Sequence, residues 1–322
     1  MSNTIGVVGL GAWGSALLLH LARQGHPLIG YSRNISPSSK ELTIAGVPYP
    51  LPTNCALTND LSSLAGVTTV VIALPAKALS SISLPAHATT IISATKGIEP
   101  ATRLTPLQYF EKRCGVSQSA LCTLSGPSFA ADLAAERPIS VVAASASLST
   151  ADKVAELFTT PTFRVYSSDD PLGVELGGIL KNVIALAAGV SDAMNLGPSA
   201  RAALITRGLA EITRLATTLG AQQTTLSGLS GLGDLIMTAS DDQSRNRTVG
   251  LRLGRGEPLG AIAASLGSVA EGVSTAPLAL ELARVAQVEA PICAQVVELL
   301  EGRISPQQLV GNLMQRPRKK EF

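Results

Sequence analysis

Aromatic side chains are scarce in this chain: one Trp, four Tyr and five Phe, 3% of 322 residues. Its cores must be aliphatic, and Ala, Leu and Val supply most of the 46% hydrophobic content. Charge is scarce too. Asp, Glu, Lys and Arg make up 15% of the residues and the net charge is +2. That balance excludes a disordered chain, and it excludes nucleic-acid binding driven by bulk charge. The one basic run, Arg316-Pro-Arg-Lys-Lys320, reads as a solvated tail. Only four cysteines occur, Cys55, Cys114, Cys122 and Cys293, scattered and without a C-x-x-C pair or a histidine at ligand spacing. A disulfide framework and a zinc site are both excluded, and no metal is expected. No run of about 18 uninterrupted apolar residues is present, so no membrane span is expected. The start of the chain lacks the basic segment and apolar core of a signal peptide, and a cytoplasmic location is the expectation.

What is present begins with short apolar runs. Candidate strands are Ile5–Gly9, Leu28–Ser32, Thr69–Leu74, Thr90–Ala94, Leu121–Leu124, Ser140–Ala144 and Phe163–Tyr166. They are near-continuous rather than alternating, as expected of strands covered on both faces. Helical stretches lie between them, among them Gly14–Gln24, closed by Gly25 and Pro27, and Ala151–Thr159. Alternation of this kind predicts an α/β domain with a doubly wound, mostly parallel sheet. From about Pro171 onward helical periodicity takes over, in Leu172–Val190, Ala200–Leu219, Ser244–Leu253, Leu259–Ser265 and Thr275–Ala286. The turn Ser167-Ser-Asp-Asp-Pro171 marks the boundary. The expected domains are 1–170 and an all-helical 171–322.

Gly9-Leu-Gly11-Ala12-Trp13-Gly14 matches G-x-G-x-x-G directly after the first strand. The first glycine permits the tight turn and the second lets backbone approach a pyrophosphate. The third lets the following helix pack closely, with its amides aimed at the phosphates. The N-terminal domain is thereby a Rossmann-like dinucleotide-binding domain. At the end of the second strand the chain reads Tyr31-Ser32-Arg33-Asn34, without the carboxylate that an NAD-selective site uses for the ribose 2′-hydroxyl. Arg33 suits a 2′-phosphate instead, so NADP is favoured, with NAD as the second cofactor. Trp13 is placed inside the glycine loop.

Lys181 is the only charged residue between Glu175 and Asp192, within a helix that reads as buried. An unpaired buried ammonium is expensive, so this lysine needs a partner or a proton-transfer role. Lys96 follows a strand at the edge of the sheet where ligands bind. Ser125-Gly126-Pro-Ser128-Phe-Ala130 follows another strand and offers a hydroxyl and amides. Asp234, in Ser230-Gly-Leu-Gly-Asp234, enters a helix, and Ser244-Arg245-Asn246-Arg247 opens another after Asp241 and Asp242, which suits an anion. Taken singly, Asp234 also reads as a helix cap, Arg247 as a surface charge and Ser128 as a turn residue.

Eight blocks in order resemble one family. They are Gly9–Gly14, Ser93-Ala-Thr-Lys-Gly-Ile-Glu99, Ser125–Ala130, Leu180–Gly189, Ala203–Leu209, Gly231-Leu-Gly-Asp-Leu235, Gln243–Asn246 and Glu271-Gly-Val-Ser-Thr-Ala276. Together they are similar to the bacterial NAD(P)-dependent sn-glycerol-3-phosphate dehydrogenases. The resemblance implies hydride transfer between NAD(P)H and dihydroxyacetone phosphate, giving sn-glycerol 3-phosphate for phospholipid synthesis. It also implies roles. Lys181 is the proton donor and acceptor. Lys96, Gly126, Ser128, Asp234, Ser244, Arg245 and Asn246 line the substrate with it. Trp13, Arg33, Lys96, Ala130, Arg245, Val269 and Glu271 join Gly9, Gly11, Ala12 and Gly14 at the cofactor.

The chemistry agrees with those roles. Hydride addition to a ketone demands a proton at the oxygen, and a buried lysine beside a second cation, Lys96, would titrate nearer neutrality and supply it. Asp234 would orient Lys181 or hold a hydroxyl, and Arg245 with Asn246 suits the phosphate. Two positions depart from the family pattern: Ile179 stands where a small residue is usual, and Gly197-Pro-Ser199 lacks the usual Asn. Two other readings compete. A ketopantoate-type or other hydroxyacid reductase shares the domain order but leaves Ser244–Asn246 unexplained, and a non-catalytic NADP-binding sensor leaves Lys96, Lys181 and Asp234 unused. A homodimer is the expected assembly.

Overall fold

The apolar runs of the first half become the strands of one sheet in the computed structural model, which describes residues 4–266, 270–318 and 320. In chain order this half comprises β1 (Ile5–Val8), α1 (Ala12–Arg23), β2 (Leu28–Tyr31), β3 (Glu41–Ile44), β4 (Val47–Pro50), β5 (Cys55–Thr58), β6 (Thr69–Ile72) and β7 (Thr90–Ser93). It continues with α2 (Pro106–Cys114), β8 (Leu121–Ser125), α3 (Ala130–Ala134), β9 (Ile139–Ala144), α4 (Leu148–Phe158) and β10 (Phe163–Ser168). The sheet order is β10-β9-β8-β7-β6-β1-β2-β5. Neighbours run parallel except β8 and β9, which are antiparallel. The sheet is therefore mixed at one end, and mostly parallel as expected. Since β1 lies between β2 and β6, the winding reverses at its C-terminal end, where doubly wound folds bind their ligands.

The near-continuous apolar character of the strands has a direct cause. Val7, Val71 and Ile92 point into one core with Leu17, Leu18 and Leu21 of α1 and Phe158 of α4. Their chain neighbours Val8, Val70, Ile72 and Ile91 point into a second core with Leu64, Leu79 and Phe110 of α2. Both faces are covered, so alternate residues are equally apolar.

Three strands lie outside the sequence expectation. β3 and β4 form a separate hairpin whose turn, Ala45-Gly46, has φ of 51° and 83°. Pro48 and Pro50 argue against a strand in sequence, and only Leu42 and Ile44 are buried there. β5 is a four-residue edge strand with one buried side chain, Leu57. Neither has enough apolar period to be legible.

The rest of the described chain is helical: α5 (Pro171–Ala193), α6 (Gly197–Thr218), α7 (Gln223–Leu226), α8 (Asp234–Ser240), α9 (Arg245–Gly254), α10 (Leu259–Leu266), α11 (Glu271–Val285), α12 (Pro291–Leu300) and α13 (Pro306–Met314). Five match the expected helices to within a few residues; α7, α8, α12 and α13, of ten residues or fewer, are additions. Among the described residues α5 alone is long and apolar enough to cross a membrane, with a mean hydropathy of 1.4, and that stretch is entirely buried in protein. It is a core helix. The chain divides into two compact units, one ending at Glu175 and the other beginning at Leu176, within the first turns of α5.

Glu175 is the acidic residue of α5 in the first unit, and it is buried. Its Oε1 accepts the Leu107 N–H of α2 at 2.9 Å. Burial pushes its pKa up to about 7 from an ordinary 4.5, against the opposing effect of the Thr105 hydroxyl and the Leu107 amide. The native state thus binds a proton that the unfolded chain has released, so the stabilisation is full below pH 4.5 and lost as pH rises through 7. Glu175→Gln keeps the acceptor and removes the charge. It should stabilise the protein at pH 8 by up to about 3 kcal/mol in urea unfolding, with no gain at pH 4.5. Equal effects at both pH values would show that Glu175 is not buried against its charge.

Candidate active site

The three glycines after β1 divide their work as the motif requires. Gly9 has φ of +98°, and a Cβ there would lie 2.7 Å from the Ala73 carbonyl oxygen. A Cβ on Gly14 would lie 1.9 Å from the Gly9 oxygen, so glycine lets α1 pack onto the turn. At Gly11, the N-cap of α1, a Cβ would meet nothing within 4 Å, which leaves the helix N-terminus open to a phosphate. Gly9, Gly11, Tyr31, Ser32, Arg33 and Asn34 line a common cavity of about 200 Å³ whose lining holds no carboxylate. Ala12 and Trp13 lie in the first turn of α1 and not inside the loop as expected, because the helix starts directly after Gly11. Trp13 Nε1 is a buried donor without a partner. An open helix end and an orphaned buried donor fit a dinucleotide and its pyrophosphate.

A second cluster forms past β7 and β8. Lys96 is partly buried, and its Nζ donates to the Gly126 carbonyl oxygen at 3.4 Å. Ser128 Oγ donates to the same oxygen at 3.2 Å. Gly126 has φ of +154°, and a Cβ there would sit 2.8 Å from Val141 Cα, so only glycine lets this carbonyl lie where both side chains meet it. Ala130 opens α3. Thr95 Oγ1 and Ser125 Oγ, to which the sequence assigns no individual role, are buried hydroxyls without partners beside this cluster in the chain.

In the helical unit, Lys181 is 5% exposed and Asp234 0%. Lys181 Nζ donates to Asp234 Oδ1 at 2.5 Å and to Thr238 Oγ1 at 2.6 Å. Asp234 and Thr238 are four residues apart on α8, hence on one face, and Thr238 Oγ1 also donates to Asp234 Oδ1 at 3.3 Å. The lysine is therefore paired, and the cost of burying its charge is offset by the carboxylate. Thr238 is missed by the sequence reading, although the i, i+4 spacing from Asp234 points to it.

Next to Lys181, Asn182 joins a second set of polar groups. Asn246 Nδ2 donates to Asn182 Oδ1 at 2.9 Å, and Asn246 Oδ1 accepts the Gly272 N–H at 2.8 Å. Asn246 thus links α5 to α11, the helix that Glu271 opens. Ser244 Oγ caps α9 by accepting the Arg247 N–H at 3.2 Å. Arg245 is exposed. Arg247, which reads as a surface charge, is buried instead: its Nε donates to Asp192 at 2.9 Å and its Nη1 to Asp242 at 2.5 Å. Val269 lies outside the described residues. Among the described residues no three His, Cys, Asp or Glu side chains gather as a metal site.

Residues 4–151 match the family model for the N-terminus of NAD-dependent glycerol-3-phosphate dehydrogenase, and residues 170–311 match that for its C-terminus. The chain is 42% identical over 337 residues to the NAD(P)+ glycerol-3-phosphate dehydrogenase of Geobacter metallireducens, covering 100% of this chain and 99% of that one. It is 40% identical over 329 residues to that of Legionella pneumophila, covering 99% of each. The crystal structure of glycerol-3-phosphate dehydrogenase from Coxiella burnetii superposes with a TM-score of 0.88 at 36% identity, over 98% of this chain and 99% of that one.

Removing one member of a buried ion pair strands the other. Asp234→Ala should cost about 3–5 kcal/mol in urea unfolding. The double substitution Lys181→Met with Asp234→Leu should recover most of that loss. A double variant as unstable as the single would assign the loss to packing and not to the pair.

Proposed function

The chain belongs to the NAD-dependent glycerol-3-phosphate dehydrogenase family, and from that membership we propose which of its residues carry the reaction. It is an NAD(P)-dependent enzyme that interconverts dihydroxyacetone phosphate and sn-glycerol 3-phosphate, a step of glycerophospholipid metabolism. The chemistry that a bound nicotinamide cofactor supplies is hydride donation to the ketone carbon, or acceptance from the alcohol carbon. Lys181 Nζ gives the carbonyl oxygen its proton as the alcohol forms, and takes it back in the reverse direction. Asp234 and Thr238 hold Nζ in place for this. Lys96, Gly126, Ser128, Ser244, Arg245 and Asn246 hold the substrate, with the Arg245 guanidinium directed at the phosphate. The observation that carries this reading is the buried ammonium of Lys181 with its carboxylate and hydroxyl.

The cofactor is held by Gly9, Gly11, Ala12, Trp13 and Gly14, with Lys96, Ala130, Arg245, Val269 and Glu271. We assign NADP as the favoured form. The support is Arg33 at the cavity beside Gly9 and Gly11, in a lining without Asp or Glu. The four free cysteines support a reducing cytoplasm. The homodimer belongs to the same proposal. A groove of about 950 Å³ between α6 and α13 carries the exposed apolar side chains Leu196 (38%) and Met314 (79%), and a second copy would cover them. Sedimentation showing only a 33.0 kDa species would remove the dimer.

Oxidation of NADPH and NADH by dihydroxyacetone phosphate, followed at 340 nm, tests the chemistry. Lys181→Ala should lose at least about 100-fold in kcat while NADPH affinity stays nearly unchanged. Full turnover in that variant would remove Lys181 from proton transfer. Arg33→Ala should raise the KM for NADPH more than that for NADH, and equal rises would sink the 2′-phosphate role.

A further inference from the structure

Gly272 is the second residue of α11. Its N–H belongs to the first turn, where no carbonyl of its own helix is available. It donates instead to Asn246 Oδ1 at 2.8 Å. That single bond settles the orientation of two side chains. A backbone N–H can only donate, so the Asn246 oxygen must face it and the Asn246 NH₂ must face the other way. The NH₂ donates to Asn182 Oδ1 at 2.9 Å. Asn182 in turn directs its own NH₂ away from Asn246, and it donates to the Gly178 carbonyl at 3.4 Å. Each carboxamide commits one N–H to this chain and has a second. Asn246 and Asn182 are 8% and 3% exposed, so the ordering takes place in the interior, beside Lys181.

The position also admits no side chain. A Cβ on Gly272 would lie 2.7 Å from Asn246 Oδ1, 2.7 Å from the Asn182 carbonyl oxygen and 3.0 Å from Leu186 Cδ1. The φ of Gly272 is not in the left-handed region. Glycine is needed for closeness, and the close contacts are the two asparagines themselves.

We infer that Gly272 is a positioning residue for substrate binding: its N–H holds the Asn246 carboxamide, and through it Asn182, with N–H donors and not oxygens turned toward a substrate oxyanion. The inference rests on the proposed role of Asn246 at the substrate. An amide turned the other way would set a carbonyl oxygen against the phosphate or alkoxide, and a donor bond to a charged group would be replaced by repulsion. The neighbouring Glu271 belongs to the proposed cofactor contacts, so one helix start serves both ligands.

A double-mutant cycle on the full-length enzyme tests this, read as KM for dihydroxyacetone phosphate at saturating NADPH. Gly272→Ala should raise KM by about 10-fold or more, the scale of one hydrogen bond to a charged group, with kcat reduced far less. NADPH binding, followed by fluorescence without substrate, should change less than twofold. Asn246→Ala should raise KM comparably, and adding Gly272→Ala to it should raise KM far less than Gly272→Ala does alone, the remainder coming from the new Cβ against the Asn182 backbone oxygen and Leu186. If the two effects multiply, Gly272 acts elsewhere and the inference falls. If Asn246→Ala raises KM while Gly272→Ala does not, the inference falls and the substrate role of Asn246 stands. Should KM ignore Asn246→Ala, that role fails first. Asn246→Asp covers the case in which Gly272→Ala does not fold. It still accepts the Gly272 N–H but offers oxygen in place of NH₂, so KM should rise at least as far as in Asn246→Ala. Retained substrate affinity in Asn246→Asp would overturn the proposal.

Discussion

An ammonium group in the middle of an apolar helix demands a carboxylate, and the packing of the helical unit delivers one. Lys181 lies on α5, every residue of which is buried between Val174 and Val190. Asp234 reaches it because the turn before α8 presses against α5 at Gly177. A Cβ there would lie 2.6 Å from the Ser230 oxygen. Removing that clearance would push α8 outward and separate the charges. The buried pair is weak evidence of net stabilisation, since desolvation opposes the attraction. The proposed proton transfer gives its retention a reason: the carboxylate and the hydroxyl hold the amine in one orientation.

The same close approach recurs along α5. A Cβ on Gly189 would stand 2.1 Å from the Arg247 oxygen, and one on Gly250 would stand 2.0 Å from the Leu186 oxygen. These contacts bring α9 near enough for Asn246 to bond Asn182. Arg247, held by Asp192 at the far end of α5, locks the two helices in that register. Asp234, Asn246 and Gly272 all occupy first turns of helices, where backbone N–H groups point outward and the local potential favours anions. A phosphorylated substrate and its transient alkoxide are anions. The proposed proton donor and the proposed substrate-binding amides therefore draw on one arrangement around α5.

The dinucleotide unit works by a separate logic. Its strands are covered on both faces, so the chain leaves the sheet only at strand ends, and the glycines after β1 occupy the end where the winding reverses. Each glycine meets a different steric demand: turn, approach and packing. Arg33, just after β2, lines the same cavity as Gly9 and Gly11.

Much of this was legible in the chain. The strand runs, the glycine loop, Arg33 and the lone charge of Lys181 are local signals, because each depends on residues within a few positions. The eight ordered blocks named the family for the same reason. Less legible were the β3–β4 hairpin, whose prolines contradict its strands, and Arg247, whose partners Asp192 and Asp242 are set by helix packing. Thr238 was foreshadowed only by its spacing from Asp234. Gly272 and Asn182 fall inside two of those blocks, but nothing local marked what they bond, since those bonds exist only when α5, α9 and α11 meet. Sequence determined which chemical groups the protein owns and the elements that carry them, for those follow from short-range pattern. Tertiary structure decided which groups face one another and which way an amide turns, because those depend on distances between helices that no local pattern encodes.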